Sequence, residues 1–119
     1  MTLKYFMLSE FDCRFTGKNE MDEHFLRLLD QCREECGFPF FITSGYRDKT
    51  HPKESAKTTT GKHTLGIAAD IACSSAEHQY KILHKAFELG FTGIGIAKTF
   101  IHLDTRMTTP VIWTYNDSD

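Results

Sequence analysis

His63-Thr-Leu-Gly-Ile-Ala-Ala-Asp70, running on into Ile71-Ala72, is the stretch on which the reading of this chain turns. A histidine and a carboxylate seven residues apart bracket a small apolar segment that contains Gly66. Ile67–Ala72 reads as a buried strand of small residues, with Asp70 inside it and His63 just ahead of it. An imidazole nitrogen and a carboxylate oxygen both suit a divalent metal such as zinc. Two ligands do not complete a site, so the rest of the chain has to supply a third.

Downstream, Gly93–Ile96 and Thr99–Asp104 read as a hairpin across Ala97-Lys98, and a last strand, Val111–Tyr115, follows Pro110. Side chains alternate along Thr99–Asp104, so Phe100, His102 and Asp104 share one face and Ile101 and Leu103 the other. An imidazole and a carboxylate buried side by side without partners are costly. A metal shared with His63 and Asp70 removes that cost. Two histidines and one carboxylate are the ligand set of several hydrolytic zinc sites, in which water takes the open position. Taken singly these residues stay open: Asp104 suits a loop hydrogen bond as well, and Arg47 suits either a developing oxyanion or a plain salt bridge.

Upstream, Asn19 reads as a helix N-cap, with Glu20, Asp22 and Glu23 at the positive end of the helix dipole. Met21, Phe25, Leu28, Leu29, Cys32 and Cys36 trace one helical face, and Gly37 and Pro39 close the helix. Phe6, Leu8, Phe11 and Phe15 of the irregular lead-in are expected to pack onto the domain. Phe40–Ser44 reads as a strand ending at Gly45, and Tyr46–Lys62 as a long polar loop of the functional or mobile kind. Ser74 with Glu77 reads as a capping box, opening a second helix with Tyr80, Leu83, Ala86 and Phe87 inward and Gly90 as its stop. Two helices and about four strands define an α+β domain, a small antiparallel sheet flanked by helices, over residues 1–119. Asn116–Asp119 are expected to fray.

With 119 residues, 40% of them hydrophobic, the chain suffices for one core. A net charge of −2 gives no reason to expect nucleic acid or an anionic membrane surface. No segment approaches the ~18–20 apolar residues of a membrane span. The N-terminus lacks the pattern of a secretory signal, which predicts synthesis in the cytoplasm. Cys13, Cys32, Cys36 and Cys73 form no CxxC knuckle and read as buried small apolar side chains. His24, His78 and His84 fall on helices and read as structural, whereas His51 in the long loop is left undecided. Nothing in the sequence sets the oligomeric state, and a monomer is the default expectation.

Ser44-Gly-Tyr-Arg47, then His63 and Asp70 with Gly66 between, then Phe100-Ile-His102-Leu-Asp104-Thr-Arg106 together resemble the zinc D-alanyl-D-alanine carboxypeptidase family. Its wider group takes in lysostaphin-type peptidases and the hedgehog signalling domain. The resemblance runs from about Ser9 to Trp113 and implies the hedgehog/D-Ala-D-Ala-peptidase-like fold. It implies zinc held by His63, Asp70 and His102, with Arg47 positioning the substrate and polarising the scissile carbonyl. It also implies hydrolysis of peptide bonds in peptidoglycan stems or cross-links, of endolysin or carboxypeptidase type, with action at the cell wall. The chain departs from many relatives at Thr99, where they carry a glutamate or aspartate as general base. Asp104 then becomes the candidate base or orienting carboxylate, with Asp48 as another source. A zinc-bearing binding domain without catalysis is the alternative.

Overall fold

The computed structural model describes residues 1–115. Helix α1 spans Glu23–Cys36 and α2 spans Ala76–Leu89; the strands are β1 (Phe41–Ser44), β2 (Ala68–Ala72), β3 (Gly93–Ile96), β4 (Phe100–Asp104) and β5 (Val111–Thr114). They form one sheet in the order β1-β2-β4-β3-β5. Strands β1, β2, β4 and β3 pair antiparallel, as expected, with the β3–β4 hairpin in place. The sheet is nevertheless mixed, because β5 runs parallel to β3. The cause is the segment 105–110. The chain leaves β4 at Asp104 beside Gly93, crosses to the outer side of β3, and restarts at Val111, again beside Gly93.

Alternation divides the sheet into two unlike faces. Ala69, Ile71, Ile94, Ile101 and Leu103 join Phe25, Leu29, Ile82 and Ala86 in the core, so both helices cover one face. The other face carries Asp70, His102 and Asp104. One cross-strand row, Ser44–Asp70–His102–Gly95–Trp113, runs over all five strands. That row is the frame of the site.

Helix α1 is capped by Asp22, not Asn19: the Asp22 carboxylate accepts from the backbone N–H of Phe25 (2.9 Å). Asn19 is occupied in tying the lead-in together, donating to the Leu8 carbonyl and to Asp12 (both 3.0 Å). Phe6 and Phe11 are buried, whereas Leu8 and Phe15 stay exposed, so half of the aromatic and aliphatic lead-in anchors the chain. In α2 the cap is Ser75, one residue later than read, accepting from His78 N–H (3.2 Å). The inward face is correspondingly Ile82 and Ala86 with Leu83 and Leu89 beside them. Tyr80 and Phe87 point to solvent. All four cysteines are buried and free. No helix among the described residues is long and apolar enough to cross a membrane.

Candidate metal centre

Each triad residue is delivered by a different local device. His63 stands in a hydrogen-bonded turn: Gly66 N–H donates to the His63 carbonyl (3.2 Å) and Ile67 N–H to that of Lys62 (3.2 Å). Gly66 has φ 75°, and a Cβ there would lie 2.1 Å from the Glu20 carbonyl oxygen. Only glycine permits both that backbone conformation and that approach. Its carbonyl accepts from Asp22 N–H (2.8 Å), which docks the turn on the start of α1. Asp70 and His102 sit directly opposite each other on β2 and β4.

The three side chains are buried, and one ligand atom from each lies within 4.8 Å of the others. Nδ1 of His63 is 2.8 Å from the Gly45 carbonyl. A carbonyl only accepts, so Nδ1 carries the hydrogen and Nε2 is the bare nitrogen. That Nε2 faces Asp70 Oδ1 at 3.3 Å. His102 turns Nδ1 to Asp70 Oδ1 (3.0 Å) and Nε2 to Asp104 Oδ2 (2.7 Å). Both imidazoles thus have one nitrogen fixed by the protein and one directed at Asp70. Two imidazoles and a carboxylate with fixed outer hydrogen bonds fit zinc, whose histidine ligands ordinarily donate their second N–H to a carbonyl or carboxylate.

Asp104 has no solvent exposure. It receives Arg106 through its backbone N–H (3.1 Å), Nε (2.9 Å) and Nη2 (2.6 Å), in addition to His102. Burial opposes the ionised form, but His102 and Arg106 outweigh it and hold the carboxyl well below the usual range. For Asp70, burial again opposes ionisation, and the adjoining His102 and His63 imidazoles outweigh it and hold the carboxyl below the usual range. For His102, burial disfavours the cation, yet Asp104 and Asp70 together raise its pKa.

Space for Asp104 and Trp113 comes from β3. A Cβ at Gly93 would lie 2.0 Å from Asp104 Oδ1, and one at Gly95 would lie 2.8 Å from both Trp113 and Tyr115. The alternating glycines of Gly93-Ile-Gly-Ile96 empty one face of the strand and keep isoleucine in the core on the other.

Arg47 is held by Ser44 Oγ (3.0 Å), Glu54 (3.3 Å) and Asp70 (3.5 Å). Glu54, almost fully buried, also receives Lys57 (3.0 Å) and Thr64 (3.1 Å). Sequence reading passed over Glu54, because a loop without period gives no sign of which acid turns inward. His51 lies in the same loop, its Nδ1 accepting from Lys53 N–H (3.0 Å). Asp48 is bound to Thr50 (2.5 Å through the hydroxyl) and does not line the cleft. Thr99 is exposed immediately ahead of β4.

The triad forms the floor of an open cleft of about 750 Å³. Phe100, Trp113 and Tyr115 make one side, and Lys53, Lys57 and Lys62 line it as well. Trp113 packs its ring 5.1 Å from that of His102 and 5.1 Å from the Arg106 guanidinium. A lone tryptophan in the last strand was the available signal for that wall, and the parallel register of β5 is what brings it to His102.

A buried His-Asp-His set with two oriented imidazoles at the floor of an open cleft defines a single-metal zinc hydrolase centre. The chain belongs to the Peptidase M15 family, whose model matches residues 4–104. The match holds the complete triad and ends before β5. A comparison with curated proteins finds no match.

Proposed function

We propose that this protein is a zinc-dependent peptidase that hydrolyses peptide bonds in bacterial peptidoglycan stems or cross-links, and that the cell wall is its place of action. The observation that carries the proposal is the mutual approach of His63, Asp70 and His102 within 4.8 Å inside a chain of the Peptidase M15 family. Zinc held there supplies Lewis acidity, bringing the pKa of a water from about 15.7 toward ~7.

The chain's own residues contribute orientation and charge. Gly45 keeps the proton of His63 on Nδ1, and Asp104 keeps that of His102 on Nε2, so the opposite nitrogens stay available as ligands. Asp104 acts in this scheme as the positioning carboxylate, not the base, since Arg106 and His102 already enclose it. Arg47 steadies Asp70 and directs positive charge into the cleft, where a scissile carbonyl gains negative charge. Among the described residues no carboxylate other than Asp70 lines the cleft.

That last observation favours a second reading, a zinc-bearing binding domain of the same fold without hydrolysis. Digestion of defined peptidoglycan by the zinc-loaded protein, followed by mass spectrometry of released muropeptides, separates the two. New peptide ends that vanish with a chelator support the peptidase. Stoichiometric zinc with no cleavage of any stem or cross-link supports the binding domain.

A further inference from the structure

Glu54 is a buried carboxylate outside the triad, seated in a socket of its own. Its Oε1 accepts from the Thr64 hydroxyl (3.1 Å), and Thr64 follows directly on His63. Its Oε2 receives Lys57 Nζ (3.0 Å) and Arg47 Nη1 (3.3 Å). Gly61 leaves the room: a Cβ there would lie 2.5 Å from Oε1 and 3.0 Å from Lys57 Nζ. Burial alone would raise the pKa of Glu54, but Lys57, Thr64 and Arg47 outweigh it and lower it. The socket therefore holds a charged group.

Arg47 stands between two carboxylates, one in the socket and one in the triad. Its Nη1 goes to Glu54, its Nη2 to Asp70 Oδ2 (3.5 Å) and its Nε to Ser44 Oγ (3.0 Å). Asp70 meanwhile turns its other oxygen, Oδ1, to His63 (3.3 Å) and His102 (3.0 Å). The strongest pair open to a guanidinium is a two-pronged one with a single carboxylate. Closing on Asp70 in that way would set a full positive charge against the oxygens a dication needs, and the two cations would repel. Glu54 holds one prong of Arg47 away from Asp70. It also keeps Arg47 on the cleft wall, which that side chain lines.

We infer that Glu54 is a positioning residue for the metal centre, acting through Arg47: it keeps the guanidinium from a two-pronged pair with Asp70, so that Asp70 retains its charge for zinc. The inference rests on the metal reading of the triad, not on cleavage.

A double-mutant cycle over Glu54→Gln and Arg47→Gln tests it, read as zinc affinity by calorimetric titration of the metal-stripped proteins. Glu54→Gln alone should weaken zinc binding by about 10-fold or more, the scale found for groups that orient metal ligands. In the Arg47→Gln background the same change should cost less than about 2-fold, because the competing cation is gone. A residue that only held the loop together would cost the same in both backgrounds, and that result overturns the inference. So does native affinity in Glu54→Gln, or a native protein that binds no zinc. Urea unfolding checks that each variant is folded. If Glu54→Gln does not fold, Glu54→Asp, which withdraws the carboxylate by one methylene, enters the same cycle with the same deciding outcomes. Peptide release from peptidoglycan is read separately. The expected cycle without any cleavage leaves the inference standing and removes the peptidase reading. Cleavage with equal costs in both backgrounds does the reverse.

Discussion

The two sides of this cleft are made in opposite ways. The metal side is a cross-strand row, Asp70–His102–Gly95–Trp113, in which backbone pairing fixes every position and neighbouring strands leave room where room is needed. The 46–62 side is a loop with no strand partner, organised around the buried carboxylate of Glu54 and its contacts to Arg47, Lys57 and Thr64. The first can hold ligands to fractions of an ångström because changing one side chain would strain several strands. The second holds charge in place through a few ion pairs and can vary without disturbing the sheet. The ligands Asp70 and His102 sit on paired strands, and Arg47, Lys53, Lys57 and Lys62 reach the cleft from the loop, in keeping with functional loops carried on a scaffold.

If that division is right, the deepest losses come from the sheet. His102→Ala removes a ligand and takes one partner from Asp104, which keeps Arg106, and peptide release should fall to the uncatalysed level. Asp104→Asn comes next. It leaves the triad complete but breaks the carboxylate that fixes His102, so zinc affinity should drop by about 10- to 100-fold. Removing one partner of the buried pair with Arg106 should also destabilise the fold by about 3–5 kcal/mol. Calorimetric zinc titration and urea unfolding read the two effects separately.

Gly95→Ala tests the packing of the row. Its Cβ would press on Trp113 and Tyr115 at 2.8 Å, at an expected cost of about 1–3 kcal/mol. A thermal midpoint unchanged from the native protein would mean that the aromatic wall is loose. The loop side should behave differently: Lys57→Ala, at a half-exposed ion pair, should change stability by no more than about 1 kcal/mol.

The pH dependence of the metal-free protein sharpens the same contrast. The pKa values of Asp70 and Asp104 are lowered on folding. Their stabilisation is therefore complete above the ordinary carboxylate range near ~4 and is lost as pH falls through the lower folded values. The pKa of His102 is raised. Its contribution is complete below the ordinary histidine range near ~6.5 and is lost as pH rises through the higher folded value. Urea midpoints of the metal-free protein should thus decline on both sides of a maximum. Asp104→Asn should weaken both slopes.

How much of this was legible in the sequence follows the same boundary. The triad His63, Asp70 and His102 was readable through the family resemblance, while strand alternation by itself placed His102 and Asp104 on one face whatever the wider topology. Helix α1 was readable because its apolar period is strong, even though Leu26 went unnoticed and the cap lies at Asp22. Helix α2 was phased only in part: Leu83 and Ala86 pack inward as read, but Tyr80 and Phe87 face solvent and Ile82 fills the space above the sheet. A 14-residue helix with apolar groups on two sides has no unique inward face until its packing partner is known. The parallel pairing of β5 depends on where 105–110 crosses, which no local pattern encodes. Glu54 and the lysines around it carry no periodicity, so their convergence is visible only once the loop is folded.

Zinc titration of the metal-stripped native protein beside His63→Ala tests the central claim most directly, because His63 reaches the centre from the turn that joins the two sides. One zinc per chain in the native protein, with that binding lost in His63→Ala while the fold persists, is the result expected. Equal stoichiometry and affinity in both proteins would contradict it.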